Sequence, residues 1–162
     1  MNKDELDVIS QAILNEVEGF EFYQLASTQG SEGTKNAFLE LANEELKHVE
    51  FLKQLFDKVK TSNEDNIRLA FDEKPPSPNI YKWDNAGKDL TSLAMSVFSI
   101  GIQMEKDSIE FYQNAKDLTK LDEARDLYDL LIKWEKVHLD QFTTQYNLYK
   151  EEWWAEQNFS PF

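Results

Sequence analysis

The sequence predicts an all-α protein: a four-helix bundle with one long crossover between its second and third helices. Apolar residues recur at helical spacing over four long stretches, which marks amphipathic helices rather than strands. Helix breakers are few, five Gly and four Pro in 162 residues, and Pro75, Pro76 and Pro78 crowd into one segment. Hydrophobic residues at 41% and aromatics at 13% supply enough apolar surface for a core, and this length suits one domain. Residues 1–162 therefore read as one unit. A helix pair covers about 4–60, a crossover about 61–88, a second pair about 89–150 and an aromatic tail 151–162.

In the first helix Ile9, Ala12, Ile13, Glu16, Phe20, Tyr23 and Ala26 share a stripe, and Gly30-Ser31-Glu32-Gly33 ends it. The second helix aligns Phe38, Leu41, Glu45, His48, Leu52, Leu55 and Val59. Asp89 or Thr91 caps the third, whose stripe is Ala94, Phe98, Ile102, Glu105, Ile109 and Tyr112. The fourth starts near Asp122 and aligns Ala124, Tyr128, Leu131, Glu135, His138, Phe142 and Gln145. Short turns after helices one and three make two antiparallel hairpins. The segment between the hairpins is too long for a turn, so it runs the length of the bundle and leaves helices two and three parallel. Its aromatic residues Phe71, Tyr81 and Trp83 are expected to pin it to the bundle surface.

A net charge of −14 speaks against nucleic acid and anionic membranes as partners, since both require basic patches. It favours cations. With no cysteine there is no disulfide, iron–sulfur cluster or thiolate zinc site. The N-terminus MNKDELDVIS carries no apolar signal core, and no run approaches the roughly 18 apolar residues of a membrane span. A cytoplasmic protein is the expectation.

The chemistry lies in the only two histidines. Each stands three residues after a glutamate, in Glu45-Leu-Lys-His48 and Glu135-Lys-Val-His138. With 18 Glu in the chain, each such pairing arises by chance roughly one time in ten, and both together about one time in a hundred. A lone glutamate precedes each pair on an apolar stripe, Glu16 at 29 residues before Glu45 and Glu105 at 30 before Glu135. The chain thus reads as a duplicated helix pair, each copy giving Glu plus Glu-x-x-His. Residues i and i+3 share a helix face, so each motif aims two ligands at one point. Four carboxylates in one apolar core repel one another and carry a large desolvation cost, and no Lys or Arg on these stripes offsets it. Two divalent cations among four carboxylates and two neutral imidazoles bring the sum to zero. Two other readings stay open here: a solvated Glu-x-x-His face, and buried Glu–His hydrogen bonding without metal. Zinc also accepts these ligands, but carboxylates available for bridging suit two iron or two manganese ions better.

These residues resemble the ligand set of the ferritin-like di-iron carboxylate proteins, the rubrerythrin-related branch in particular. The resemblance runs from about Leu6 to Tyr149. It rests on Glu16 with Phe22-Tyr23, Glu44-Glu45-Leu-Lys-His48, Glu105 with Phe111-Tyr112, and Glu135-Lys-Val-His138. It implies a ferritin-like bundle in which Glu16 and Glu105 are terminal ligands, Glu45 and Glu135 bridge, and His48 and His138 each complete one iron. Two departures stand out. Rubrerythrin proper carries a second helix-three carboxylate three residues from the first, used in a redox-linked iron shift; here those positions are Ile102 and Ser108. The set is in this respect more similar to that of bacterioferritin. Rubrerythrin also ends in a cysteine-bearing rubredoxin domain, so with no cysteine here the resemblance implies an external electron donor such as a rubredoxin-type protein.

The resemblance implies an oxidoreductase in which two ferrous ions react with H2O2 or O2, of peroxidase or ferroxidase type. Iron storage or buffering, and a structural metal site without turnover, are the competing expectations. Exchange of hairpins through the long crossover makes a homodimer the expected assembly. Tyr23 and Tyr112 each lie seven residues after a ligand glutamate, which suits hydrogen bonds to carboxylates on a facing helix or an electron relay. Glu44 precedes a ligand and suits orienting the remote nitrogen of a histidine, but Trp134 takes the equivalent place in the other half, so Glu44 is assigned to the surface. Gly19 and Gly101 lie within a turn of Glu16 and Glu105, leaving room for an oxidant or for close helix packing. Trp153 and Trp154 suit a dimer contact or a cover over the bundle end.

Overall fold

In the computed structural model, which describes residues 2–29, 32–61 and 91–156, the chain forms four helices. They are α1 (Asn2–Gln29), α2 (Glu32–Thr61), α3 (Thr91–Leu118) and α4 (Asp122–Glu156). No strand occurs among the described residues. The crossover with Phe71, Tyr81 and Trp83, the turn at Gly30-Ser31, the Asp89 cap and the tail beyond Glu156 lie outside them. One boundary differs from the sequence expectation: α4 continues to Glu156 instead of ending near residue 150. No glycine or proline interrupts it, and Lys150, Glu151, Glu152 and Ala155 all favour helix.

The predicted stripes are the buried faces. Every member of the α2 stripe, from Phe38 to Val59, is buried, as are Ile9, Ala12, Glu16, Tyr23 and Ala26 of α1. Helix α1 packs on α2, α3 on α4, and the hairpins meet where α1 faces α3 and α2 faces α4. The directions follow from the side-chain pairs. Glu16 meets Tyr112 while Tyr23 meets Glu105, so α1 and α3 are antiparallel. Phe51 and His48 pack on Trp134 while Glu44 reaches His138, so α2 and α4 are antiparallel as well. Since α1 and α2 form an antiparallel hairpin, α2 and α3 run parallel, as the long connection requires.

The short α3–α4 turn is tied to the start of α1. Glu5 accepts hydrogen bonds from the Thr119 hydroxyl and, at 3.3 Å, from the Lys120 amide. Arg125 donates to the Thr119 carbonyl at 3.1 Å.

The core has two apolar halves. One holds Ile9, Leu52, Leu55, Leu127 and Leu131; the other holds Phe38, Leu41, Phe98, Phe142 and Tyr149. Burial of each such side chain contributes about 2 kcal/mol. That contribution lets the bundle tolerate what lies between the halves, a layer of acidic and histidine side chains.

Candidate metal centre

Six side chains converge in that middle layer: Glu16 from α1, Glu45 and His48 from α2, Glu105 from α3, Glu135 and His138 from α4. None is more than 4% exposed, so bulk water screens none of them. Ligand atoms of Glu16, Glu45, His48 and Glu135 all lie within 4.8 Å of one another, and so do those of Glu45, Glu105, Glu135 and His138. The two quartets share Glu45 and Glu135.

The shared carboxylates are split between the quartets. Glu135 turns Oε1 toward His48 Nδ1 at 3.1 Å and Oε2 toward His138 Nδ1 at 3.5 Å. Glu45 likewise places Oε2 at 3.7 Å from His48 Nδ1 and Oε1 at 3.9 Å from His138 Nδ1. Glu16 and Glu105 each serve one side only, with Glu16 Oε2 at 3.3 Å from His48 Nδ1 and Glu105 Oε1 at 3.5 Å from His138 Nδ1.

Electrostatics in this layer are strained. Among the described residues, the only cationic groups within ion-pair reach of the four carboxylates are the two histidines. Burial, then repulsion from Glu135 and Glu16, holds the Glu45 carboxyl well above its usual range. Burial and Glu135 do the same to Glu105, against some relief from His138. Glu135 goes the other way: burial opposes ionisation, but hydrogen bonds from Glu105, His138 and His48 hold it well below the usual carboxylate range. Burial pulls His48 down, but Glu16 and Glu135 push it up to about 10. His138 is likewise raised, against burial, by Glu105, Glu135 and Glu44.

The donor set fits two divalent cations. Among the described residues, Glu105 Oε2, Glu135 Oε1 and His138 Nδ1 are buried with no aligned hydrogen-bond partner. Orphaned oxygen and imidazole atoms at the meeting point of four helices are costly without something to coordinate. Carboxylate and imidazole donors suit iron, manganese or zinc.

A family model described as rubrerythrin matches residues 7–146, which takes in all four helices and all six of these side chains. The chain belongs to the rubrerythrin family. Comparison with curated proteins and with solved structures gave no significant match. The family is a ferritin-like di-iron one, and the buried acidic and histidine cluster is compatible with a metal-binding site of that kind. No helix among the described residues is long and apolar enough to cross a membrane.

Within this rubrerythrin frame the tyrosines bond across the hairpins. Tyr23 donates its hydroxyl to Glu105 Oε1 at 2.5 Å, and Tyr112 donates to Glu16 Oε1 at 2.5 Å. Burial first, then the nearby carboxylates, raises both phenols well above their usual range, so both keep their protons. Ile102 and Ser108, three residues either side of Glu105, are half-buried and supply no further carboxylate.

Glu44 corrects the sequence reading. It is 8% exposed rather than on the surface, and it accepts a hydrogen bond from His138 Nε2. Its position before a ligand glutamate was the only sequence signal, and Trp134 in the matching place argued against it. The glycines also separate. A Cβ on Gly19 would stand 3.3 Å from Glu45 Oε2, so Gly19 makes room for a shared carboxylate; a Cβ on Gly101 would stand 3.2 Å from the Phe142 ring, which is helix packing. Trp154 is 37% exposed.

Proposed function

We propose that the protein is an oxidoreductase built on two iron ions held by Glu16, Glu45, His48, Glu105, Glu135 and His138, and that it reacts with H2O2 or O2. The observation that carries this reading is the split of Glu45 and Glu135, each giving one oxygen to the His48 side and one to the His138 side. Carboxylates disposed in this way would hold two ions between them, with Glu16 and Glu105 each serving one. Manganese fits the same donors, and zinc would occupy them without redox chemistry.

When bound, two ferrous ions supply the two electrons that reduce a peroxide. The chain provides the setting. Glu45 and Glu135 fix the separation of the ions, and the apolar halves on either side keep bulk water out. Tyr23 and Tyr112 occupy one oxygen each of Glu105 and Glu16 and so fix how those carboxylates are turned. These 162 residues hold no cysteine for a thiolate iron centre; a rubredoxin-type protein is the proposed electron donor, and a homodimer the proposed assembly.

Anaerobic loading with two Fe²⁺ per chain, followed by stopped-flow mixing with H2O2 and with O2, tests the proposal. Rapid growth of near-ultraviolet charge-transfer absorption is expected, and the faster oxidant assigns peroxidase or ferroxidase type. Iron that fails to bind stoichiometrically, or that binds and stays inert to both, overturns it.

The tyrosine pair gives a further prediction. Tyr23→Phe and Tyr112→Phe are each expected to keep two metals per chain while changing the oxidation rate by about tenfold or more. The symmetry of the two bonds predicts similar effects. Unchanged rates in both variants would reduce the phenols to packing.

A further inference from the structure

The duplication that makes the two quartets alike fails at one place, the residue before each shared glutamate. On α2 it is Glu44; on α4 it is Trp134. The Glu44 carboxylate accepts a hydrogen bond from Nε2 of His138, the ring nitrogen remote from the acidic cluster. Among the described residues, the remote nitrogen of His48 has no such acceptor. His48 Nε2 is buried and unpartnered, and the ring stands edge-on to Trp134 with centroids 4.7 Å apart at 71°. Indole N–H is only a donor, and Nε2 of an imidazole that coordinates through Nδ1 also carries a proton, so no hydrogen bond joins them. Trp134 Nε1 is itself buried without a partner.

We infer that Glu44 is a positioning residue that makes the two metal positions unequal, so that the first ion enters beside His138 and the second beside His48. The inference rests on the dinuclear reading above and goes beyond it to an order of filling. Two effects act in the same direction. On the His138 side, a carboxylate acceptor fixes the proton on Nε2, leaves the Nδ1 lone pair aimed at the cluster, locks the ring and makes Nδ1 a stronger donor. On the His48 side, coordination through Nδ1 leaves a buried N–H with nothing to accept it, a cost the other side does not carry. Losing an acceptor of this type costs about 10–100-fold in metal affinity, which sets the expected preference.

Because the shared carboxylates couple the positions, two unequal stepwise constants alone would not identify the site. The chain's two histidines do. The full chain, labelled with ¹⁵N-histidine, is titrated with Co²⁺ in the absence of oxidant while the ring N–H signals are followed by NMR. At one Co²⁺ per chain the wild type should show the His138 signal, assigned by its absence in His138→Gln, paramagnetically shifted in large excess over that of His48. Glu44→Leu removes both the charge and the acceptor at similar size; it should give both shifted signals in similar amounts and weaken the first constant about 10–100-fold, with the second unchanged. Trp134→Phe should keep the wild-type preference. Equal signals or a His48 signal that shifts first in the wild type, or an undiminished preference in Glu44→Leu, overturns the inference and leaves the dinuclear reading standing. Failure of either histidine to shift overturns both.

Discussion

Glu45→Leu is expected to strip the protein of its metal pair and, in the same molecule, to raise the melting temperature of the metal-free form. Loss of metal follows from position, because Glu45 belongs to both quartets and its removal deprives each side of an oxygen. The gain in stability follows from the environment of the carboxyl. Burial and the charges of Glu135, Glu16 and Glu105 all disfavour its ionised form, and the two histidines nearby do not offset them. Replacing a buried, poorly partnered polar group by an apolar one of similar size recovers a desolvation cost of about 1–3 kcal/mol. For a chain of this length each kcal/mol moves the midpoint by roughly 2–4 °C. Gly19, which leaves the space that the Glu45 carboxylate fills, also leaves room for the branched side chain. Elemental analysis after metal loading and thermal melts in chelator measure the two halves of the effect. Two metals per chain retained in Glu45→Leu would sink the ligand assignment. A lower melting temperature with metal lost would mean that the carboxyl serves the fold as well as the metal.

The same opposition explains why the site was readable in the sequence. A buried stripe is cheap to build from Leu, Phe and Ile, so Glu16 at a position flanked by Ile13 and Phe20 marks a place where stability yielded to something else. Helical period gave the four elements, and the length between Thr61 and Thr91 gave the parallel pair. Glu44 was legible only as an option for the remote nitrogen of a histidine, set aside because Trp134 breaks the symmetry. Neighbouring residues on a helix point about 100° apart, so the position next to Glu45 faces away from its stripe. It becomes part of the site only because α2 and α4 cross with Glu44 opposite His138, a contact set by helix pairing rather than by spacing along the chain. Tyr23 and Tyr112 were legible as second-layer residues because two helical turns return nearly to the ligand stripe. Which carboxylate each would meet depended on α1 facing α3 antiparallel. The end of α4 was missed for a simpler reason: the apolar stripe stops before the helix does, and favourable polar residues carry it on.

Metal affinity is expected to rise steeply with pH, by at least about two and at most about four orders of magnitude per pH unit for the overall two-metal constant. Four groups in the layer hold protons more tightly than usual when no cation is bound: the Glu45 and Glu105 carboxyls and the His48 and His138 rings. Four protons carry the charge of two divalent ions, so metal binding is an exchange of one set of charges for another at the same atoms. Below the raised pKa values, about 10 for His48, the protons must be displaced and affinity falls as pH falls. The metal-free fold behaves in the opposite sense. A group with a raised folded pKa adds stability below its unfolded value and loses it as pH rises toward the folded one, and all four shifts are upward. The metal-free protein should therefore lose stability from about pH 4.5 upward relative to the loaded protein, which gains over the same range. Chelator competition at pH 6, 7 and 8 gives the slope, and calorimetry in buffers of different ionisation heat counts the protons released. A slope below one per pH unit would mean that metal enters without displacing protons from these side chains, and the six residues would then not be its ligands.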